Sequence, residues 1–147
     1  MINKELIKKI KKMTPEAIFP APFVRNFNAT FTVFQEGKAE AEITVKKEYT
    51  NPFGIAHGGF LFTLLDEVLG MAAFSIMDKP FYQDIKSHTT INHEIQFIGP
   101  AKLNETIVIS SNIKSARKNI IFMEGEIRAK DNNKYIASSK GIWFIKR

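Results

Sequence analysis

The 147-residue chain contains no cysteine, and this absence excludes disulfide bonds, thiolate metal ligands and a cysteine nucleophile. Its three histidines are scattered along the sequence, so no metal-binding constellation emerges, and no glycine-rich nucleotide loop is present. We therefore expect neither a metal nor a cofactor. The lack of cysteine also fits a cytoplasmic protein.

Long apolar runs are equally scarce. No stretch approaches the ~20 apolar residues of a bilayer-spanning helix, and no signal-peptide apolar run follows the lysine-rich start. We expect a soluble protein with no membrane partner. The net charge of +6 suits an anionic partner, but charge alone does not choose between nucleic acid, an acidic membrane and a phosphate-bearing ligand.

Residues 1–26 are predicted to form an N-terminal helix and a connection, followed by one domain in residues 27–147. Lysines between positions 4 and 12 alternate with apolar residues at helical spacing, and three prolines follow. We favour an amphipathic helix packed on the domain, with membrane or nucleic-acid contact as the alternative. The helix is too short for a DNA-binding domain of its own, so nucleic acid is not an expected partner.

The remaining sequence predicts a hairpin, one long helix and four further strands. The hairpin covers residues 27–34 and 39–45, the helix 60–77, and the later strands 86–98, 104–116, 119–130 and 134–146. This order indicates an α+β fold in which an antiparallel sheet of about six strands wraps around an apolar helix. Because such a sheet has exposed edges, we expect a homo-oligomer.

Two features of the predicted helix bear on chemistry. Asp66 and Glu67 interrupt its apolar sequence, and an unpartnered buried carboxylate costs several kcal/mol, so at least one should be paired, solvent-reaching or functional. At the helix start, His57-Gly58-Gly59 offers backbone N–H groups to a carbonyl oxygen that gains negative charge. A tight turn into the helix is the structural alternative for this motif.

A specific pattern surrounds this helix. It consists of Asn51, Gly54, His57, Gly58, Gly59, Thr63, Asp66 and Gly70. The asparagine precedes the histidine by six residues and the acid follows it by nine, while Thr90 and residues 97–101 continue the pattern in a later strand. Over residues 27–144 the chain resembles hot-dog-fold thioesterases, specifically the phenylacetyl-CoA thioesterase-like group of the 4-hydroxybenzoyl-CoA thioesterase superfamily.

The resemblance implies an acyl-CoA thioesterase that releases the free acid and coenzyme A. Asp66 would be the catalytic carboxylate, as general base or nucleophile, and the Gly58 N–H would bind the thioester oxygen. Asn51 would hold water or substrate, and Thr90 would orient the acid. His57, mainly structural, would lie along the substrate with Gly59 and Thr63. Glu67 does not occupy the catalytic position of the group.

The helix itself implies that two subunits share the site. Gly58 and Asp66 lie eight residues apart, about 12 Å along a helix, whereas both must approach one reacting group. The simplest arrangement pairs Asn51 and Gly58 of one subunit with Asp66 of another, in a homodimer or a homotetramer. Arg117 and Lys118 are candidate contacts for the coenzyme A phosphates, and a charged turn is the alternative.

Four phenylalanines are candidate lining residues of an acyl pocket, and a plain core role is the alternative for them: Phe53, Phe60, Phe62 and Phe81.

Two other functions are compatible with this fold class. The first is a non-catalytic acyl-CoA-binding or regulatory protein, which has no need for a carboxylate near the thioester. The second is an enoyl-CoA hydratase, which usually works with a histidine paired to an acid. Along the predicted strand 86–98, polar residues from Thr90 to Gln96 alternate with His93 and apolar residues, so Thr90 and His93 are expected on opposite faces of the sheet. The apolar neighbours of His93 favour a hydrogen-bonded packing role for it instead.

Overall fold

A six-stranded antiparallel sheet and one long α-helix are the main elements of residues 21–76 and 87–146, the part of the chain that the computed structural model describes. Two short 3-10 helices, Val24–Asn26 and Lys47–Tyr49, lie in the connecting segments. The elements are β1 (Thr30–Gln35), β2 (Lys38–Thr44), α1 (Gly58–Ser75), β3 (Ser87–Phe97), β4 (Thr106–Arg117), β5 (Ile120–Ala129) and β6 (Tyr135–Lys146). Across the sheet the order is β1-β2-β4-β5-β6-β3, so β3 forms one edge. The predicted α+β architecture is confirmed.

Element boundaries agree with the sequence pattern to within a few residues. The helix begins at Gly58 rather than Phe60 because His57 is its N-cap, and it ends at Ser75. The predicted N-terminal helix and the segment between α1 and β3 lie outside the described residues.

Helix α1 lies in the core of the protein. Its sequence is apolar on most sides, and the sheet covers it with isoleucines from β4, β5 and β6, including Ile109, Ile127 and Ile136. By length and composition α1 is apolar enough to cross a membrane. Its buried apolar side chains, however, pack with those of the sheet in the hydrophobic core. A methyl group at Gly70 would stand 2.7 Å from the Trp143 ring, so glycine permits the close approach of helix and sheet.

A β-bulge interrupts β3 at the point that faces the helix. Strict alternation places Thr90 and His93 on opposite faces of the strand. In the structure, however, Thr90 pairs with Trp143 and Asn92 with Ile142, so that Ile91 is an extra residue. The bulge turns Thr90 and His93 toward the same inner face and leaves Ile91 55% exposed. The prediction of uninterrupted alternation was therefore wrong at this point.

Candidate active site

A tight loop leads into the start of α1, and hydrogen bonds of Asn51 hold this loop together. The Asn51 N–H donates to Ile55 O (2.8 Å), the Gly54 N–H donates to Asn51 O (3.0 Å), and Asn51 Oδ1 accepts from the Phe53 N–H (2.9 Å). Gly54 has φ +74°, which glycine adopts without strain. The side-chain oxygen of Asn51 thus holds the turn, which leaves its NH₂ group as the part that can meet water or substrate.

The helix start presents free backbone donors, and the N–H of Gly58 is one of them. His57 Nδ1 accepts from the Gly59 N–H (2.9 Å), which requires a neutral ring with its proton on Nε2. Within residues 21–76 and 87–146, no acceptor pairs with the N–H of Gly58. Because the helix dipole places partial positive charge at this end, the free N–H is suited to a developing oxyanion.

Asp66 lies two turns further along α1, beside the bulged edge strand. Thr90 Oγ1 donates a 2.8 Å hydrogen bond to Asp66 Oδ1, across 24 residues of sequence. The Asp66 side chain is 43% exposed, so the carboxylate is both held and accessible. The structure therefore brings together the predicted acid and its predicted orienting hydroxyl.

Gly58 and Asp66 occupy the same unbroken helix, which spans Gly58–Ser75. Eight residues of helix separate them by about 12 Å along its axis. One chain therefore cannot place both groups on a single carbonyl.

A small aromatic cavity adjoins the helix start. The three residues predicted along the substrate, His57, Gly59 and Thr63, line one cavity of about 240 Å³. Its aromatic residues are Phe23, Phe27, Tyr49 and Phe60. The rings of Tyr49 and Phe60 stack with centroids 4.6 Å apart.

Sequence reasoning found only part of this cavity. Among its candidate acyl-pocket residues it named Phe60, which lines the cavity, and Phe53, which is 87% exposed. It missed Phe27 and Tyr49, whose rings meet edge to face at 5.5 Å. Phe27 before β1 and Tyr49 after β2 were the available signal, but only the fold brings them together at the helix start.

Comparison with known proteins supplies the family. The model of the thioesterase superfamily matches residues 53–136. This chain belongs to the thioesterase superfamily. Human acyl-coenzyme A thioesterase 13 is 30% identical to it over 104 residues, which cover 71% of this chain and 70% of that protein. The prediction of a thioesterase is confirmed.

Solved structures show the same fold. The PaaI protein of E. coli, from the phenylacetic acid degradation operon, superposes with a TM-score of 0.79 at 18% identity, covering 95% of each chain. A hypothetical thioesterase protein of Streptococcus pneumoniae TIGR4, solved with coenzyme A, gives a TM-score of 0.72 at 20% identity over 81% of this chain and 89% of that one. The predicted hot-dog fold is confirmed.

Arg117 and Lys118 lie apart from the other candidate residues of this thioesterase. They form the β4–β5 turn, where Lys118 has φ +47° and Arg117 lies with Phe122 on the exposed side of the sheet. The turn leaves β4 and enters β5, so two to three strand spacings, roughly 10 to 14 Å, separate it from the edge strand that holds Thr90. A single chain does not bring them to the site, and their contact with coenzyme A phosphates stays a prediction.

Glu67 contacts a different part of the chain from Asp66. The Ala21 N–H donates to Glu67 Oε1 (3.3 Å), and burial raises the pKa of this carboxyl above its ordinary value of 4.5. The hydrogen bond from Ala21 acts in the opposite direction, while the charge of Asp66 adds to the increase in pKa. The two adjacent acids therefore occupy different environments, as helical geometry predicts.

We expect Glu67→Gln to stabilise the thioesterase near neutral pH. A raised pKa means that the folded state binds the proton more tightly than the unfolded chain, so stability is lost as pH rises from about 4.5 through the folded pKa. Glutamine keeps an oxygen for the Ala21 N–H without the buried charge. Thermal melts should show a Tm a few degrees higher at pH 7.5 and little change at pH 4. A lower Tm at pH 7.5 would contradict this.

His93 stands beside Asp66 but is closed to solvent. Its Nδ1 lies 3.7 Å from Asp66 Oδ1, and its side chain is 2% exposed, so the remaining exposure of this residue belongs to its backbone at the sheet edge. The ring packs on Phe62 with centroids 4.5 Å apart. The predicted packing role of His93 agrees with this contact. The predicted hydrogen bond is not found, because neither ring nitrogen has a hydrogen-bond partner in the described part of the chain. A histidine so buried does not reach a substrate, which disfavours hydratase chemistry.

The three histidines supply no metal site in the described structure. Within residues 21–76 and 87–146, no three histidine or acidic side chains approach one another as metal ligands would.

Proposed function

We propose that this thioesterase hydrolyses an acyl-CoA to the free acid and coenzyme A, at a site completed by two copies of the chain. The observation that carries the proposal is Asp66, an accessible carboxylate on a core helix, held by the Thr90 hydroxyl at 2.8 Å. The name of the human relative and the coenzyme A in the Streptococcus pneumoniae structure support the choice of thioester.

The chemistry requires an oxyanion donor and a carboxylate. The Gly58 N–H, at the positive end of α1, stabilises charge on the thioester oxygen. Asp66 acts in one of two ways. As a general base it takes a proton from water, whose oxygen attacks the carbonyl carbon and expels the coenzyme A thiolate. As a nucleophile it attacks the carbon itself and expels the coenzyme A thiolate, and water then hydrolyses the resulting mixed anhydride, which releases the free acid and regenerates Asp66.

Thr90 determines which carboxylate oxygen reacts. Its hydroxyl proton is donated to Oδ1 of Asp66, so Oδ1 is engaged and Oδ2 is the oxygen that meets water or substrate. A carboxylate with one oxygen fixed loses less orientational freedom on reaching the transition state. The scheme uses only water and groups of this chain.

The edge strand β3 is the surface on which we place the second copy. Two apolar side chains of β3 and the residue that follows the strand are well exposed in a single chain, namely Ile91 (55%), Phe97 (57%) and Ile98 (56%). An unpaired edge with exposed apolar side chains favours pairing with another chain, and a two-fold pairing buries the same patch on both. Phe97 also touches the helix start, since its ring lies 3.1 Å from the position of a Cβ on Gly58. Pairing along β3 therefore places the interface beside both Gly58, which Phe97 contacts, and Asp66, which Thr90 holds.

In the proposed dimer, Asn51 and Gly58 of one protomer face Asp66 of its partner. This removes the 12 Å separation within one helix and gives two equivalent sites per dimer. Association of two such dimers into a tetramer would leave each site unchanged. Sedimentation velocity of the purified protein distinguishes the two states.

The proposed activity is tested by offering the purified protein a panel of aliphatic and aromatic acyl-CoAs and detecting the released thiol. We expect catalytic turnover of at least one member, and the preferred member identifies the acyl group. Stoichiometric binding of acyl-CoA with no thiol release across the panel would contradict the proposal and favour a non-catalytic binding protein.

A further inference from the structure

We propose that His93 is a positioning residue for Asp66. Together with Thr90 it fixes Oδ1 of the carboxylate, so that Oδ2 is presented to water or substrate. This inference rests on the proposed function, because it assigns His93 a role only if Asp66 acts on the thioester.

The β-bulge of β3 is the device that brings the two side chains to one carboxylate. Thr90 and His93 are three residues apart, and in a regular strand they would face opposite sides of the sheet. The extra residue, Ile91, turns both inward, with Thr90 opposite Trp143 and His93 opposite Gly141. As a result, Thr90 Oγ1 lies 2.8 Å and His93 Nδ1 3.7 Å from the same atom, Asp66 Oδ1. Bulges commonly re-aim side chains beside active sites.

The surroundings of His93 would suit an apolar residue, so the presence of a histidine there needs an explanation. Its side chain is 2% exposed and rests on the Phe62 ring, and the paired residue Gly141 offers it no polar side chain. Both ring nitrogens are buried without a hydrogen-bond partner among the described residues. Burying a polar group in this way costs free energy that a leucine would not incur. The carboxylate of Asp66, with Oδ1 at 3.7 Å from Nδ1, is a polar group that does approach the ring.

The chemistry follows from a neutral ring with its proton on Nδ1. That N–H points its positive end at Oδ1, and a small rotation of the carboxylate would close the 3.7 Å separation to a hydrogen bond. Burial lowers the pKa of His93 and the carboxylate of Asp66 raises it, with burial the larger effect, so the ring is neutral near pH 7. Glu67 bonds to Ala21 instead, and Glu94 alternates with His93 onto the opposite face of β3.

Protonation of His93 would change what Asp66 can do. An imidazolium beside Oδ1 holds the carboxylate in an ion pair and makes it a weaker base or nucleophile. Activity should therefore fall on the acid side as His93 takes up its proton. Replacing the ring with an apolar side chain should remove this part of the pH profile.

The test compares His93→Leu with His93→Asn, measuring kcat, KM and the pH profile. Leucine fills the apolar site without a donor, whereas the amide nitrogen of asparagine stands near the position of Nδ1. We expect His93→Leu to melt at or above the wild-type Tm, to lose about tenfold in kcat with KM little changed, and to lose the acid limb assigned to His93. His93→Asn should recover most of the lost kcat. Should His93→Leu fold poorly, His93→Met provides the same apolar test.

Three results would overturn this role. A His93→Leu enzyme with wild-type kcat and pH profile would show that the ring only packs. A His93→Asn enzyme as slow as His93→Leu would show that no donor at Nδ1 is needed. An increase in KM with unchanged kcat would place the residue in binding instead. Two parallel assays separate the hypotheses. Absence of thiol release by the wild-type protein rejects the proposed function, and an active Asp66→Asn rejects the catalytic role of Asp66 and with it the role of His93. An inactive Asp66→Asn beside a normal His93→Leu rejects only the role of His93.

Discussion

Asp66→Asn should fold normally and lose about 10²-fold or more in kcat for acyl-CoA hydrolysis. Asparagine matches aspartate in shape and still accepts the hydrogen bond from Thr90 Oγ1, which reaches Oδ1 at 2.8 Å in the native protein. It cannot take a proton from water at neutral pH or form an anhydride with the acyl group. The loss therefore falls on the chemical step, whichever of the two routes operates.

The matched control for this variant is Glu67→Gln, the same chemical change one residue further along the helix. Because Glu67 faces Ala21 rather than the site, its removal should leave kcat within a factor of about two. Thermal melts of both variants show whether a loss of activity comes from a loss of folding. Asp66→Asn with activity within a few-fold of wild type would remove Asp66 from the catalytic role.

Gly58→Pro should lose about 10²- to 10³-fold in kcat, because it deletes the backbone N–H proposed to bind the oxyanion. Proline is well tolerated at the first position of a helix, where the N–H has no helical partner. His57, the preceding residue, already has the extended conformation that proline demands, with φ −66° and ψ 137°. The variant therefore removes the donor with little change to the helix.

Gly58→Ala is the control for the added bulk of proline. Both variants place a Cβ about 3.1 Å from the Phe97 ring, but alanine keeps the N–H. Gly58→Ala should thus retain much more activity than Gly58→Pro. Equal losses in the two variants would indicate that space against Phe97, rather than the N–H, is what glycine provides.

Much of the fold follows from the sequence because its signals are local. Period-two alternation predicts the β1–β2 hairpin and the three C-terminal strands, and the apolar sequence after His57-Gly58-Gly59 predicts a core helix. The spacing of Asn51, Gly58 and Asp66 is likewise a sequence property, and these residues lie on the loop and helix as expected.

What the sequence did not predict depends on contacts between distant segments. The bulge at Ile91 has no glycine or proline to mark it, so alternation placed Thr90 and His93 on opposite faces. Tyr49 and Phe27 meet at the helix start only because the chain before β1 packs there. The contact of His93 with Asp66 follows from the bulge and was missed for the same reason.

The central claim, a site shared between two chains, is tested most directly by mixing two inactive variants. Gly58→Pro and Asp66→Asn are purified separately, mixed under conditions that exchange subunits, and assayed for thiol release from acyl-CoA. In a mixed dimer, one of the two sites combines an intact Gly58 from one chain with an intact Asp66 from the other. Random exchange of equal amounts should then restore about a quarter of wild-type activity. No recovery, once subunit exchange has been demonstrated, would contradict a shared site.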